Sequence, residues 1–219
     1  MRLPLEALQR ALAERAKAPD GQLRPGVFLD RDGTINVDTG YVRRAEDVAL
    51  VPGAAAGIAR LNGAGIPVIV VTNQSGLGRG LISEAQYDAV AGRLAERLAE
   101  HGARIDATYL CPHDPTATLC DCRKPGTLLF ERAAAEHQLD LARSWFIGDR
   151  WRDLAPALVF GARAILIPSP HTHPHDVDQA RAMAVAVAAG MEEAAEMVIE
   201  GAGSREQGAG GRSLLPPAP

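Results

Sequence analysis

VFLDRDGT, residues 27–34, runs from three apolar residues straight into Asp30, Arg31, Asp32 and Gly33. A short apolar run that ends on turn-forming residues reads as a buried strand, and everything else in the chain can be placed from it. Asp30 and Asp32 then stand two residues apart at the strand's carboxyl end, where both can face one cleft. Gly33 allows the backbone to turn sharply behind them. A carboxylate so placed can attack a phosphoryl group and form an acyl phosphate. A neighbouring carboxyl, protonated for part of the cycle, can donate a proton to the leaving oxygen. Asp and Gly are also the ordinary residues of a solvated turn, so the pattern alone leaves both readings open.

Outward from this run, apolar or β-branched stretches alternate with segments at helical spacing. Strands are expected at Val27 to Leu29, Pro67 to Val71, Ala107 to Leu110, Trp145 to Ile147 and Ala164 to Ile167. Helices are expected at Gly53 to Asn62, Ser83 to His101, Thr127 to His137 and Trp151 to Phe160, with Ser83 as an N-cap. Strict alternation implies βαβ units around a parallel sheet, that is, an α/β Rossmann-like three-layer sandwich. In such sheets the ligand crevice lies beyond the carboxyl ends of the strands, so polar residues just after each strand are the candidates for chemistry.

Those residues form a set. The second strand ends in Thr72, Asn73, Gln74, Ser75 and Gly76, which offer a hydroxyl and backbone N–H groups to a phosphate oxygen. The fourth ends in Gly148 and Asp149, followed by Asp153, further carboxylates for a hard cation such as Mg2+. Arg123 and Lys124 lie between them in sequence, and a lysine is a suitable point charge for a phosphoryl group.

Taken in order, FLDRDGT, VVTNQSG, CRKP and IGDRWRD resemble the four motifs of the haloacid dehalogenase superfamily of phosphatases, over residues 27 to 153. The resemblance implies that Asp30 is the nucleophile, Asp32 the general acid and then base, Thr72 a hydrogen-bond donor to the phosphoryl group, and Lys124 the neutralising cation. It implies Mg2+ held by Asp30, the backbone carbonyl of Asp32, and Asp149. Asp153 is expected to orient Lys124 or a metal-bound water, or simply to sit as a favourable charge at a helix N-terminus.

All three cysteines fall between positions 111 and 122, an odd number that does not suggest a disulfide framework. Cys111, His113, Cys120 and Cys122 instead supply the four soft or borderline ligands of a closed, structural, tetrahedral Zn2+ site. Such a loop resembles that of two sister groups, the heptose 1,7-bisphosphate phosphatases and the histidinol-phosphate phosphatases. LDRDGTINVDTGYV (29–42), TNQSGLGRG (72–80) and CDCRKPGTLL (120–129) are similar to the heptose group, and the Ser75 and Arg79 pattern is less like the histidinol group. This likeness implies hydrolysis of the C7 phosphate of a small sugar phosphate, with Asn73, Arg79 and Arg123 meeting the substrate. Histidinol phosphate remains the alternative, followed by a nucleic-acid end or an inactive zinc-stabilised binding module.

An offset of 37 between Asn36 and Asn73 leaves no room for a large cap domain, so an open site is expected, bordered by the zinc loop, Arg79, Arg123 and the segment Asn36 to Arg44. Of 219 residues 47% are hydrophobic, enough for one domain with a sizeable core. A net charge of -4 gives no sign of the basic surface that a nucleic-acid partner requires. The charges scattered through the first 20 residues fit neither a signal peptide nor a membrane span. A cytoplasmic enzyme is expected, monomeric rather than oligomeric. Residues 1–24 are expected to form an amphipathic helical extension through Leu5, Leu8 and Leu12, residues 25–200 the catalytic domain, and the Gly- and Pro-rich residues 201–219 a disordered tail. His171, His173 and His175 read as a solvated, Pro-rich loop.

Overall fold

The computed structural model describes residues 23–206. Almost all of the helix expected over residues 1–24, and most of the segment read as a tail, lie outside them. Within them, β1 (Val27–Leu29), β2 (Val68–Asn73), β3 (Ala107–Cys111), β4 (Trp145–Gly148), β5 (Arg163–Leu166) and β6 (Ala186–Val187) form one sheet in the order β3-β2-β1-β4-β5-β6. Every pair in it is parallel. The helices are α1 (Ala54–Gly63), the short α2 (Ser75–Gly78), α3 (Glu84–Ala99), α4 (Leu128–His137), α5 (Trp151–Phe160), α6 (Pro174–Ala182) and α7 (Met191–Glu206).

Alternation along the strands explains the three layers. Val27, Leu29, Val68, Val70, Trp145 and Ile147 point into one core, with Ile58 and Leu61 of α1, Leu94 and Leu98 of α3, and Val198 of α7. Phe28, Ile69, Val71, Phe146 and Leu166 point into the other, against Phe130 of α4 and Leu154 of α5. Because both faces are covered, the strands are apolar throughout rather than alternating with polar residues. Phe28 stacks on Phe146 at 5.0 Å and meets Phe130 edge-on at 5.5 Å, fixing the second core around β1.

The five expected strands and four expected helices are present, and α3 opens on the expected cap, Ser83 Oγ accepting the Gln86 N–H at 3.2 Å. β6 was not anticipated, since two residues within an Ala-rich run carry no strand periodicity of their own. α7 also continues through Glu206, so the catalytic domain expected over residues 25–200 runs past 200. Between Asn36 and Leu50, which pair as an isolated antiparallel bridge, the chain makes a short excursion with a single turn of 3-10 helix at Ala45–Asp47. Among the described residues no cap domain covers the sheet's carboxyl edge. No described helix is long and apolar enough to cross a membrane.

Candidate active site

From β1 the chain moves to β2 and β3 on one side of the sheet, then returns to β4 on the other side of β1. Loops leaving β1 and β4 therefore diverge, and a crevice opens between them. Asp30 enters this crevice from β1, its N–H donating to the Ile147 carbonyl at 2.9 Å, and Asp149 enters from the end of β4. Gly33 has φ 86°, and a Cβ there would lie 2.6 Å from Asp149 Oδ2, so only glycine lets the two loops close. Gly148 does the same for Asp153 in the first turn of α5, since a Cβ there would lie 2.5 Å from that of Asp153.

Lys124 reaches the centre from the loop after β3. Its Nζ donates to Asp30 Oδ1 at 2.5 Å and to the Val71 carbonyl at 2.6 Å, and lies 2.8 Å from Asp153 Oδ1. Two hydrogen bonds and one ion pair thus hold the ammonium in a place where the side chain is 1% exposed. Burial works against the charged lysine, but Asp153 and Asp30 outweigh it and hold its pKa above the ordinary value.

Carboxylate oxygens of Asp30, Asp149 and Asp153 lie within 4.8 Å of one another, all three residues being buried. Burial pushes the Asp30 carboxyl up to about 7 against the pull of Lys124, with Asp153 and Asp32 adding repulsion. Asp149 is also raised, chiefly by burial, with a Ser169 hydrogen bond working the other way. Three buried acids against one ammonium leave negative charge that a hard divalent ion with oxygen ligands would balance, so the donor set fits Mg2+. Asp153 belongs to this cluster as well as to Lys124, closer to the centre than a helix-terminal charge need be.

The carboxylate of Asp32 lies outside that cluster and is held from three sides. It receives Arg31 Nη2 at 2.9 Å, Asn36 Nδ2 at 2.9 Å and Gln74 Nε2 at 2.7 Å. Gln74 Nε2 also donates to Thr72 Oγ1 at 2.9 Å, linking the two residues expected to handle the proton and the phosphoryl oxygen. Arg31 in turn lies over the Tyr87 ring at 5.5 Å. Asn73 gives both side-chain atoms to the backbone of Lys124, accepting its N–H at 3.0 Å and donating to its carbonyl at 3.2 Å. Arg79 bonds Asp114 at 3.2 Å and the Tyr41 hydroxyl at 3.3 Å, and so joins the loop after β3 to the loop after β1. Arg123 is half-buried, and its buried Nη1 has no hydrogen-bond partner.

Cys111, His113, Cys120 and Cys122 gather within 4.8 Å. Cys111 Sγ lies 3.6 Å from Cys120 Sγ and 3.7 Å from His113 Nδ1, which is 3.2 Å from Cys122 Sγ. A tetrahedron with Zn–S near 2.3 Å and Zn–N near 2.0 Å has edges of about 3.8 Å between sulfurs and about 3.5 Å between sulfur and nitrogen, so the four atoms fit zinc. Without a cation, burial and the neighbouring thiols push the Cys122 thiol up to about 12. The cluster folds the loop back onto the turn after β2, where Gly78 N–H donates to the Pro112 carbonyl at 2.8 Å. Two residues beyond Cys122 this loop delivers Lys124.

Arg31, Ser169 and Thr172 carry no functional signal in the sequence, and Asn36 and Gln74 stand there only within longer segments, with no role for their side chains. Gln74 sat within the quoted TNQSG run, which was the only signal for it. Ser169 Oγ donates to Asp149 Oδ2 at 2.6 Å and Thr172 Oγ1 to the Asp149 carbonyl at 2.7 Å, contacts that exist only because β5 lies beside β4. The three nearby histidines are exposed as expected, but their segment is not loop throughout. His173 is the N-cap of α6 and Pro174 its first residue.

The HAD-hydrolase-like family model matches residues 121–194. D-glycero-beta-D-manno-heptose-1,7-bisphosphate 7-phosphatase of Photorhabdus laumondii is 40% identical over 139 residues, 61% of this chain and 74% of its own length. The protein of the same name from Pseudomonas putida is 40% identical over 142 residues, 64% of this chain and 81% of its own. Among solved structures, D,D-heptose 1.7-bisphosphate phosphatase from B. bronchiseptica, complexed with magnesium and phosphate, is 32% identical with a TM-score of 0.74. It covers 80% of this chain and 98% of its own.

Proposed function

The chain belongs to the HAD-hydrolase-like family, among its heptose-bisphosphate phosphatases, and from that premise we propose that it removes the C7 phosphate of D-glycero-β-D-manno-heptose 1,7-bisphosphate. One observation carries the chemistry: Lys124 bonded at once to Asp30 and paired with Asp153, beside Asp149, at the switch point of the sheet.

In this reading an Asp30 oxygen attacks the phosphorus, the bond to the sugar O7 breaks, and Asp32 gives its proton to O7. Water then attacks the aspartyl phosphate, Asp32 takes the water's proton, and Asp30 is released with inorganic phosphate. Lys124 holds Asp30 in line and offsets the charge that develops on the phosphoryl oxygens, while the Thr72 hydroxyl hydrogen-bonds one of them. Arg31, Asn36 and Gln74 fix the Asp32 carboxyl against rotation between the two half-reactions. Mg2+, held by Asp30, Asp149 and the Asp32 carbonyl, supplies further positive charge at the transferring group when bound. Zn2+ on the Cys3His cluster keeps the loop that carries Arg123 and Lys124 in place. The unpaired Arg123 guanidinium, with Arg79 near Tyr41, meets the polar remainder of the substrate. The enzyme works as a cytoplasmic monomer, which gel filtration at assay concentration tests for the oligomeric state.

Phosphate release from both anomers of the heptose bisphosphate and from histidinol phosphate tests the substrate. The β anomer should give the highest kcat/KM. Turnover of histidinol phosphate with none of either heptose anomer would overturn the assignment.

A further inference from the structure

Asp149 is an expected magnesium ligand whose side chain is held from outside the four motifs. The loop after β5 supplies the restraint. Ser169 Oγ accepts the His171 N–H at 3.1 Å and donates to Asp149 Oδ2 at 2.6 Å. An ionised carboxylate can only accept, so the hydroxyl proton is aimed at Asp149. Thr172 Oγ1 accepts the Ser169 N–H at 2.8 Å and donates to the Asp149 carbonyl at 2.7 Å, so backbone and side chain of Asp149 are gripped by one loop. The same loop reaches the segment after β1, where His171 Nε2 lies 2.9 Å from the Asp38 carbonyl. Arg150 Nε also lies near Oδ2, at 3.5 Å, too long for a hydrogen bond.

We propose that Ser169 is a positioning residue for the divalent-cation site: by occupying Asp149 Oδ2 it fixes the carboxylate rotamer and presents Oδ1 to the ion. The proposal rests on the reading that Asp149 ligates Mg2+. A carboxylate free to rotate about its last torsion loses part of its binding free energy to ordering, whereas one already hydrogen-bonded does not. Thr172 holds the loop, and the exposed His171 side chain serves the Asp38 segment rather than the ion.

The test uses the full zinc-loaded chain and measures Mn2+ binding by electron paramagnetic resonance, without substrate, with Mg2+ competition giving the second constant. Ser169→Ala should weaken binding of both ions by about 10-fold or more. Its zinc content and its melting temperature in ion-free buffer should stay at wild-type values, and kcat should recover at saturating Mg2+. Ser169→Thr, which keeps the hydroxyl at a half-buried position, should restore the affinity. His171→Ala, which keeps the backbone N–H, should bind Mn2+ within about 2-fold of wild type. Wild-type affinity in Ser169→Ala, alongside lost affinity in Asp149→Ala, would overturn the role of Ser169 alone. Wild-type affinity in Asp149→Ala would remove the metal-site reading on which it rests.

Discussion

Replacing Lys124 by Met removes, at a side chain of nearly equal length, the one ammonium that the described residues place among the three buried acids. Two charged hydrogen bonds and an ion pair disappear together. Breaking a buried pair by deleting one partner costs about 3–5 kcal/mol, because the remaining charge stays buried without compensation. For a domain of this size each kcal/mol moves the melting temperature by about 2–4 °C, so a fall of roughly 6–20 °C is expected in Mg2+-free buffer. Asp153→Asn in the same background relieves the repulsion between Asp153 and Asp30 and should restore part of the loss. The coupling between the two substitutions should be about 0.5–3 kcal/mol in a double-mutant cycle. Activity should not return with stability: loss of a preorganised cation at the transferring group costs about 100- to 1,000-fold in kcat even at saturating Mg2+. Calorimetry and steady-state phosphate release on the four proteins measure both. A Lys124→Met enzyme with unchanged melting temperature and with kcat within about 10-fold of wild type would refute the central role given to the ammonium.

Asp30→Asn should abolish turnover, and it also carries a pH signature. The folded-state pKa of Asp30 is raised from 3.8 to about 7, so the neutral carboxyl is the form the fold favours. The associated stability is present below about pH 4 and is lost as pH rises through about 7. In Mg2+-free buffer the wild type should therefore lose urea stability relative to Asp30→Asn between about pH 4 and about pH 7 and hold a constant difference above. Mg2+ should shrink that difference. A flat difference across the range would contradict the burial argument. Cys122→Ser should drop bound zinc from about one per chain and cost kcat more than its distance from Asp30 suggests, because Lys124 is two residues away; metal analysis and kinetics on the same sample decide this. Asn73→Ala removes two hydrogen bonds to the Lys124 backbone and should cost about 1–3 kcal/mol of stability, with kcat falling more than KM rises. A rise in KM alone would mean that Asn73 acts on substrate instead.

Much of the site was legible because strand-end chemistry is local. Asp30, Asp32, Thr72 and Asp149 follow directly from apolar runs whose carboxyl ends can be read off the chain, and the three cysteines and His113 expected to hold zinc cluster within twelve positions. What escaped was lateral. Gln74 between Thr72 and Asp32, Asn73 on the Lys124 backbone and Ser169 on Asp149 join residues from different strands, and no spacing along the chain encodes which neighbour a side chain will meet. β6 escaped for a related reason, since a two-residue strand owes its existence to the edge of β5 rather than to its own propensity.

The amino-acid sequence by itself determined the parallel α/β class, the acids available at the strand ends and a four-residue Cys/His loop of zinc-ligand type, because periodicity and residue type are properties of short segments. Only the tertiary structure decided that Lys124 sits among Asp30, Asp153 and the Val71 carbonyl, that Gly33 admits Asp149, and that the loop after β5 grips that carboxylate. Those relations depend on the order in which the strands lie side by side, and each is a balance of buried charges that exists only once water has been excluded.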